Sequence, residues 1–139
     1  MRQAQLEAPK TLSWSELPMP QPAAGEAVVR IRAALTCGTD LKTYRRGHPK
    51  LKFGPFGHEA SGDIVALGSG VEKFQVGDAV MWVQTAPCGR CPRCLEGRTN
   101  ICQHLTDQIA LGTYADYIRL PASIVRQNLF SKPARLSYI

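Results

Sequence analysis

The sequence lacks long apolar runs, internal repeats and low-complexity tracts. No stretch approaches the roughly 20 consecutive apolar residues that a membrane-spanning helix needs, and residues Met1 to Ala4 lack the apolar segment of a signal peptide. Of the 139 residues, 44% are hydrophobic and 20% are charged, which is typical of one soluble globular domain with its own core. We therefore expect a single domain with no membrane partner.

The basic residues nowhere form a long cluster, although the chain carries a net charge of +6. The clusters are short, as in Arg45-Arg46, and there is no basic helix, no basic strand interleaved with aromatic residues and no lysine-rich tail. Such a distribution indicates a solvated surface or the attraction of an anionic cofactor or substrate. It does not favour a nucleic-acid partner.

Four of the five cysteines lie within one short segment, separated by two, two and seven residues: Cys88, Cys91, Cys94 and Cys102. The residues between them are mostly Pro, Gly and charged residues, which offer little apolar surface for packing. Because such a segment cannot hold a shape by burial, we infer that four thiolates bind one metal ion. A tetrahedral zinc ion with four sulfur ligands has no open position, so this site would be structural.

Ordinary buried thiols, disulfides and an iron–sulfur cluster are the alternatives for these cysteines. The fifth cysteine, Cys37, makes the total odd, which argues against a closed disulfide framework and favours a reducing, cytoplasmic location. The first spacings match the bacterial ferredoxin run, but in that run the fourth cysteine comes sooner and precedes Pro. Here the fourth cysteine precedes Gln103.

Short runs of β-branched residues between Gly- and Pro-rich turns predict a mostly β fold. The predicted strands are residues 3–7, 12–17, 26–35, 62–67, 79–83 and 114–120, with a further one at 124–127. Asp40 is interpreted as the N-cap of a short helix that ends near Arg46. Residues 18–25 and 47–57 are predicted to be loops. This pattern is typical of a mostly antiparallel barrel or sandwich.

A second set of metal-ligand types lies where predicted strands end and begin. Cys37 directly follows one strand, and His58-Glu59 precede another. Three protein ligands and one open position define a catalytic zinc site. A cysteine and a histidine so far apart in sequence could also be unrelated, and Gly62 rules out the His-Glu-x-x-His pattern of metalloproteases.

Four motifs in this order resemble the zinc-dependent medium-chain alcohol dehydrogenases. They are Cys37-Gly38-Thr39-Asp40, Gly57-His58-Glu59 with Gly62, Val76-Gly77-Asp78-Ala79-Val80, and the spacing of the four clustered cysteines. The run that begins at Cys37 is most similar to the sorbitol and threonine dehydrogenase branch. The resemblance implies that residues 1–139 form the N-terminal catalytic domain. Its fold would be a mostly β, partly open antiparallel barrel with short helices that is similar to GroES, with a zinc-held loop lobe at about residues 85–104.

The resemblance also implies residue roles. Cys37 and His58 would bind catalytic zinc, with Glu59 as a ligand or a close neighbour. The Thr39 hydroxyl would contact the substrate oxygen and start a proton relay, and Asp40 would hydrogen-bond the far ring nitrogen of His58. The four clustered cysteines would bind structural zinc.

Simpler roles remain for three of the smaller polar residues. Thr39 could be a turn residue, and Asp40 could be only a helix cap. We interpret His48 as an exposed loop residue before Pro49 rather than as part of the relay.

The family carries a nicotinamide-binding Rossmann domain after the catalytic domain. The nearest approach to its Gly-x-Gly-x-x-Gly fingerprint is Gly68-Ser69-Gly70, where Lys73 replaces the third glycine and no helix is predicted to follow. A further zinc ligand of the family would lie beyond the position that matches Ile139. We therefore expect a fragment, inactive by itself, of an enzyme whose missing Rossmann domain binds NAD or NADP.

The expected function is that of a zinc-dependent NAD(P) alcohol or polyol dehydrogenase, in which zinc polarises the substrate hydroxyl for hydride transfer. The expected partners are a small alcohol or polyol and further copies of the whole chain in a homodimer or homotetramer, with no nucleic acid. The alternative is a standalone zinc-stabilised binding module, for which nucleic acid is the candidate partner. It accounts for the clustered cysteines and the basic charge but leaves Cys37, Thr39 and His58 without a role.

Overall fold

The computed structural model describes residues 1–49 and 52–139. The strands in these residues are β1 (Arg2–Ala8), β2 (Thr11–Glu16), β3 (Ala27–Leu35), β4 (Gly54–Pro55), β5 (Glu59–Leu67), β6 (Ala79–Trp82), β7 (Tyr117–Leu120) and β8 (Leu129–Ser131). The helices are α1 (Gly38–Arg46), α2 (Pro92–Leu95) and α3 (Ala122–Gln127), with a 3-10 turn at Thr99–Ile101. None of these helices has the length and apolar character needed to cross a bilayer.

The larger sheet has the strand order β7-β3-β5-β6-β8, and every neighbouring pair is antiparallel. Its centre is the pair β3 and β5, which runs from Ala27 opposite Leu67 to Leu35 opposite Glu59. β5 begins three residues earlier than predicted, and β7 begins three residues later. The register at Leu35 and Glu59 brings the chain just after β3 next to the chain just before β5.

The smaller sheet has the order β2-β1-β4. β1 and β2, both predicted as strands, pair as a hairpin whose turn holds Lys10 in the left-handed region at φ 64°. A main-chain bond of 2.8 Å from Ala4 N to Tyr114 O connects this sheet to the segment that precedes β7. The two sheets thus form an open, not a closed, barrel, as the sequence predicts.

Two loop predictions need correction. Residues 47–57 are not entirely loop, because Gly54–Pro55 pairs with β1 as β4; residues 50 and 51 lie outside the described part. Residues 124–127 belong to a helix rather than a strand. Successive strand residues point to opposite faces, whereas Ile124 and Val125 are both buried and their amides both bond to Pro121 O.

The core lies against the larger sheet and is mostly aliphatic, with two aromatic residues, Phe74 and Trp82. Each fully buried Val, Ile or Leu side chain contributes about 1.5–3 kcal/mol through removal from water. The core residues are Ala27, Val29, Ile64, Phe74, Val80, Trp82, Ala86, Ala110, Ile118, Leu120, Ile124, Val125 and Leu129. Strands β3 and β5 are therefore fixed both by pairing and by burial.

Gly62 lies where β3 and β5 approach most closely. A Cβ atom there would lie 2.0 Å from Arg30 O and 2.8 Å from Val29 Cγ1. We expect Gly62→Ala to lower the free energy of unfolding by about 1–3 kcal/mol or more. Urea denaturation monitored by circular dichroism measures the change.

The control for this substitution is Gly38→Ala. Gly38 is the first residue of α1, and a Cβ there has no neighbouring atom within 4 Å. The same added methyl group should leave stability unchanged or raise it by up to about 1 kcal/mol. Equal losses at both positions would show that close packing of β3 on β5 does not constrain Gly62.

Candidate metal centres

The four clustered cysteines converge on one point. The sulfurs of Cys88 and Cys94 are 4.0 Å apart, those of Cys91 and Cys102 are 3.9 Å apart, and all four lie within 4.8 Å of one another. A tetrahedral ion with bonds of about 2.3 Å to sulfur places its ligands about 3.8 Å apart. The thiols therefore fit a zinc ion, and all five cysteines of the chain are free rather than disulfide-bonded.

Main-chain amides surround these sulfurs. Cys91 N and Cys88 N donate to Cys88 Sγ and Cys102 Sγ respectively, each at 3.3 Å. The amide of Gln103 lowers the pKa of the Cys91 thiol to about 6, whereas burial raises the pKa of Cys94 to about 12. A protonated thiol does not ligate zinc, so binding a cation here must displace the proton of Cys94.

The four-cysteine lobe (residues 85–109) is an excursion from the sheet. Ala110 N donates to Gln84 O at 2.9 Å, so the chain leaves and returns through one hydrogen-bonded pair. Asn128, just after α3, donates to Thr85 O at 2.6 Å. Leu95 and Ile101 are exposed. The lobe consequently has little packing of its own, and a bound cation is what would hold it together.

Cys37, His58 and Glu59 form the second cluster, with ligand atoms within 4.8 Å of one another. The cluster exists because Leu35 pairs with Glu59: Cys37 lies just beyond the end of β3, and His58 lies just before β5. Cys37 is the N-cap of α1, and its sulfur accepts the Thr39 amide at 3.4 Å.

The prediction that Asp40 is the N-cap of α1 is wrong. Asp40 is instead the acidic partner in a capping box, and Cys37 is the N-cap. The Asp40 carboxylate lies in the first turn and accepts the Cys37 amide at 2.9 Å. The helix begins three residues earlier than predicted because Cys37 supplies the capping atom. The same carboxylate thereby fixes the backbone of a candidate metal ligand.

Asp40 also holds His58, as predicted. Asp40 Oδ1 lies 3.0 Å from His58 Nδ1, and the Asp40 side chain is only 4% exposed. A proton on Nδ1 donated to this carboxylate leaves the lone pair of Nε2 free. Nε2 lies 3.9 Å from Glu59 Oε1, so it points toward the cluster.

Tyr114 joins the same network, which no sequence signal predicts. Its hydroxyl lies 3.0 Å from Thr36 Oγ1, 3.2 Å from Leu35 O and 3.3 Å from Asp40 Oδ2. Burial raises the pKa of this phenol, so the hydroxyl stays protonated. The sequence shows Tyr114 only as part of a predicted strand, and no motif distinguishes it from other strand tyrosines.

An open cleft of about 340 Å³ adjoins the second cluster. Thr39, His48 and His58 line one part of it. His48 is half-buried, so its interpretation as an exposed residue is wrong. The remaining lining residues come from the loop after β6 and from the return of the lobe, which sequence reasoning missed: Gln84, Thr85, Thr106, Ile109 and Leu111.

Residues 23–129 match the family model of the alcohol dehydrogenase GroES-like domain, and the chain belongs to this family. It is 34% identical to the sorbitol dehydrogenase of Bacillus subtilis over 99% of the chain and 40% of that protein. It is also 34% identical to the L-threonine 3-dehydrogenase of Pyrococcus furiosus, over 87% of the chain and 35% of that protein.

A solved NAD-dependent alcohol dehydrogenase has the same fold. It superposes with a TM-score of 0.82 and 38% identity, over 99% of this chain and 41% of that chain. The chain thus spans about 40% or less of these relatives' lengths. The predicted family, branch and GroES-like fold class are confirmed.

Substitution of one lobe cysteine tests whether the four-cysteine cluster binds a structural zinc ion. We expect Cys94→Ser to remove the lobe's zinc and its hydrogen-exchange protection while the barrel keeps its circular dichroism, because the lobe contributes little to the core. Hydrogen exchange read by mass spectrometry, with metal content by elemental analysis, measures both effects.

The matched control for the lobe is Cys37→Ser, which removes a thiol of the second cluster and should leave protection of residues 85–109 intact. Global unfolding of Cys94→Ser would show that the lobe is part of the core. Iron in the purified protein, together with absorption of visible light, would overturn the zinc assignment in favour of an iron–sulfur cluster.

Proposed function

We propose that this chain, residues 1–139, is the zinc-binding catalytic domain of an NAD(P)-dependent dehydrogenase that oxidises a small alcohol or polyol. The observation that carries this proposal is the second cluster: a thiol, an imidazole and a carboxylate converge beside an open cleft. Their chemistry fits a catalytic zinc ion, which prefers such ligands and keeps one position open. The first cluster, with four sulfurs and no carboxylate, fits a structural ion instead.

Each residue of the second cluster has a distinct task in this proposal. Cys37 and His58 hold the zinc ion, and Glu59 is a ligand or a close neighbour. Zinc supplies a Lewis acid that lowers the pKa of an alcohol hydroxyl in the cleft. Asp40 keeps the proton of His58 on Nδ1, so that Nε2 faces the metal position.

Thr39 takes the substrate proton. It lies in the first turn of α1 and lines the cleft together with His58. Its hydroxyl can accept a proton from the substrate and donate its own toward solvent. The hydride leaves the substrate carbon for the nicotinamide ring, so the substrate loses one proton and one hydride and becomes a carbonyl compound.

Polar side chains of the cleft suit a hydroxylated substrate. Gln84, Thr85 and Thr106 line it together with Thr39. Amide and hydroxyl groups can hydrogen-bond to sugar-alcohol oxygens. In this proposal a Rossmann domain of the same protein holds NAD or NADP, and the whole protein is a cytoplasmic homodimer or homotetramer. The alternative binding module is not favoured, because it leaves the second cluster unexplained.

Substitution of Thr39 separates the proton relay from packing. In the whole enzyme we expect Thr39→Ala to retain zinc but to lose about 10²–10⁴-fold in kcat, the usual contribution of proton transfer. Thr39→Ser keeps the hydroxyl and should be nearly silent. Steady-state alcohol oxidation and elemental analysis give the two readouts.

Both variants lack the threonine methyl group, so they differ only in the hydroxyl. Equal losses in Thr39→Ala and Thr39→Ser would make Thr39 a packing residue and remove it from the mechanism. As a positive control, Cys37→Ser should lose both the zinc of the second cluster and the activity, because serine is a poor zinc ligand.

A further inference from the structure

Tyr114 contacts both halves of the second cluster without belonging to it. The cluster is built from two segments: one follows β3 and carries Cys37, and the other precedes β5 and carries His58. The Tyr114 hydroxyl bonds to the first segment at Leu35 O and Thr36 Oγ1. Its ring packs on the second segment, because a Cβ on Gly57 would lie 3.0 Å from two ring carbons.

The ring of Tyr114 is held firmly in this position. It meets the ring of Phe56 edge-to-face, with centroids 5.5 Å apart, and its amide donates to Phe56 O at 3.1 Å. Gly57 is buried with φ at 90°, a conformation that favours glycine and lets the ring approach the backbone. The hydroxyl is therefore aimed by its surroundings rather than free to swing.

The Asp40 carboxylate links the Tyr114 hydroxyl to the two candidate metal ligands, because it hydrogen-bonds to all three residues. Oδ1 faces His58 Nδ1, while Oδ2 accepts both the Cys37 amide at 2.9 Å and the Tyr114 hydroxyl at 3.3 Å. The phenol has one proton and three oxygens within reach. The Asp40 oxygen is the farthest of the three at 3.3 Å, but a carboxylate accepts a hydrogen bond more strongly than a neutral oxygen does, so it competes for the proton.

We propose that Tyr114 is a positioning residue for the catalytic metal: its hydroxyl holds Asp40 in the rotamer that presents His58 Nε2 and Cys37 Sγ to one ion. This inference rests on the proposed metal role of Cys37 and His58. Without the hydroxyl, Oδ2 keeps only the Cys37 amide, so one of the three groups that fix the orientation of the carboxylate toward His58 is lost. The site would then bind its metal less tightly.

The experiment is a Co²⁺ titration of the whole enzyme after the four-cysteine lobe has been loaded with zinc. Thiolate-to-cobalt absorption reports binding at Cys37. Tyr114→Phe removes one oxygen and keeps the ring on Gly57 and Phe56. Groups that orient a metal ligand typically contribute 10–100-fold to affinity, so we expect the Co²⁺ dissociation constant to rise about 10-fold or more.

The matched control is Tyr44→Phe. Tyr44 lies on α1, as Asp40 does, and its hydroxyl donates to Lys10 O at 3.2 Å. This variant loses the same atom and a comparable hydrogen bond, so it controls for a general loss of stability. It should bind Co²⁺ within about 2-fold of the unmodified protein.

A double-mutant cycle with Asp40→Asn tests the route of the effect. If Tyr114 acts through Asp40, adding Tyr114→Phe to Asp40→Asn should change the Co²⁺ affinity by less than about 2-fold. Independent, multiplying losses would overturn the proposal, as would wild-type affinity in Tyr114→Phe alone. Failure of the unmodified protein to bind Co²⁺ at Cys37 would instead overturn the metal role itself, and this inference with it.

Discussion

The pairing of β3 with β5 is the constraint on which the rest of the molecule depends. It supplies the centre of the larger sheet and much of the core, and its last pair, Leu35 with Glu59, decides which loops meet. A slip of one residue would turn every side chain of one strand to the other face. It would also separate Cys37 from His58. Fold stability and the candidate catalytic centre are thus consequences of one register.

The β3–β5 register brings the two segments of the second cluster together, and the Asp40 carboxylate then fixes individual atoms within it. This carboxylate satisfies a main-chain amide at the start of α1, accepts the proton of His58 and receives the Tyr114 hydroxyl. Hydrogen bonds from several donors offset the cost of removing a carboxylate from water, whereas a buried carboxylate without partners would be strongly destabilising. One buried group therefore serves both the beginning of a helix and the orientation of a metal ligand.

Short sequence patterns predicted the features that depend on residues close together in the chain. The spacing of the clustered cysteines and the motifs around Cys37 and His58 predicted the two clusters of candidate ligands, and β-branched runs such as that of β3 predicted most strands. The helix at Ala122–Gln127 was missed because Ile124 and Val125 favour a strand by propensity, while their joint burial is a tertiary effect. Tyr114 was missed for a related reason: its importance lies in contacts with residues 74 to 79 positions away.

The lobe leaves the sheet at Gln84 and returns at Ala110 through one main-chain hydrogen bond. The two ends of the lobe are adjacent, so the number of residues between them has little effect on stability. The entropic cost of closing a loop grows only slowly with its length. Residues between the cysteines can therefore be inserted or removed at little cost to the strands. The shape of the lobe is then decided by its four sulfur atoms and whatever they bind, rather than by the sheet.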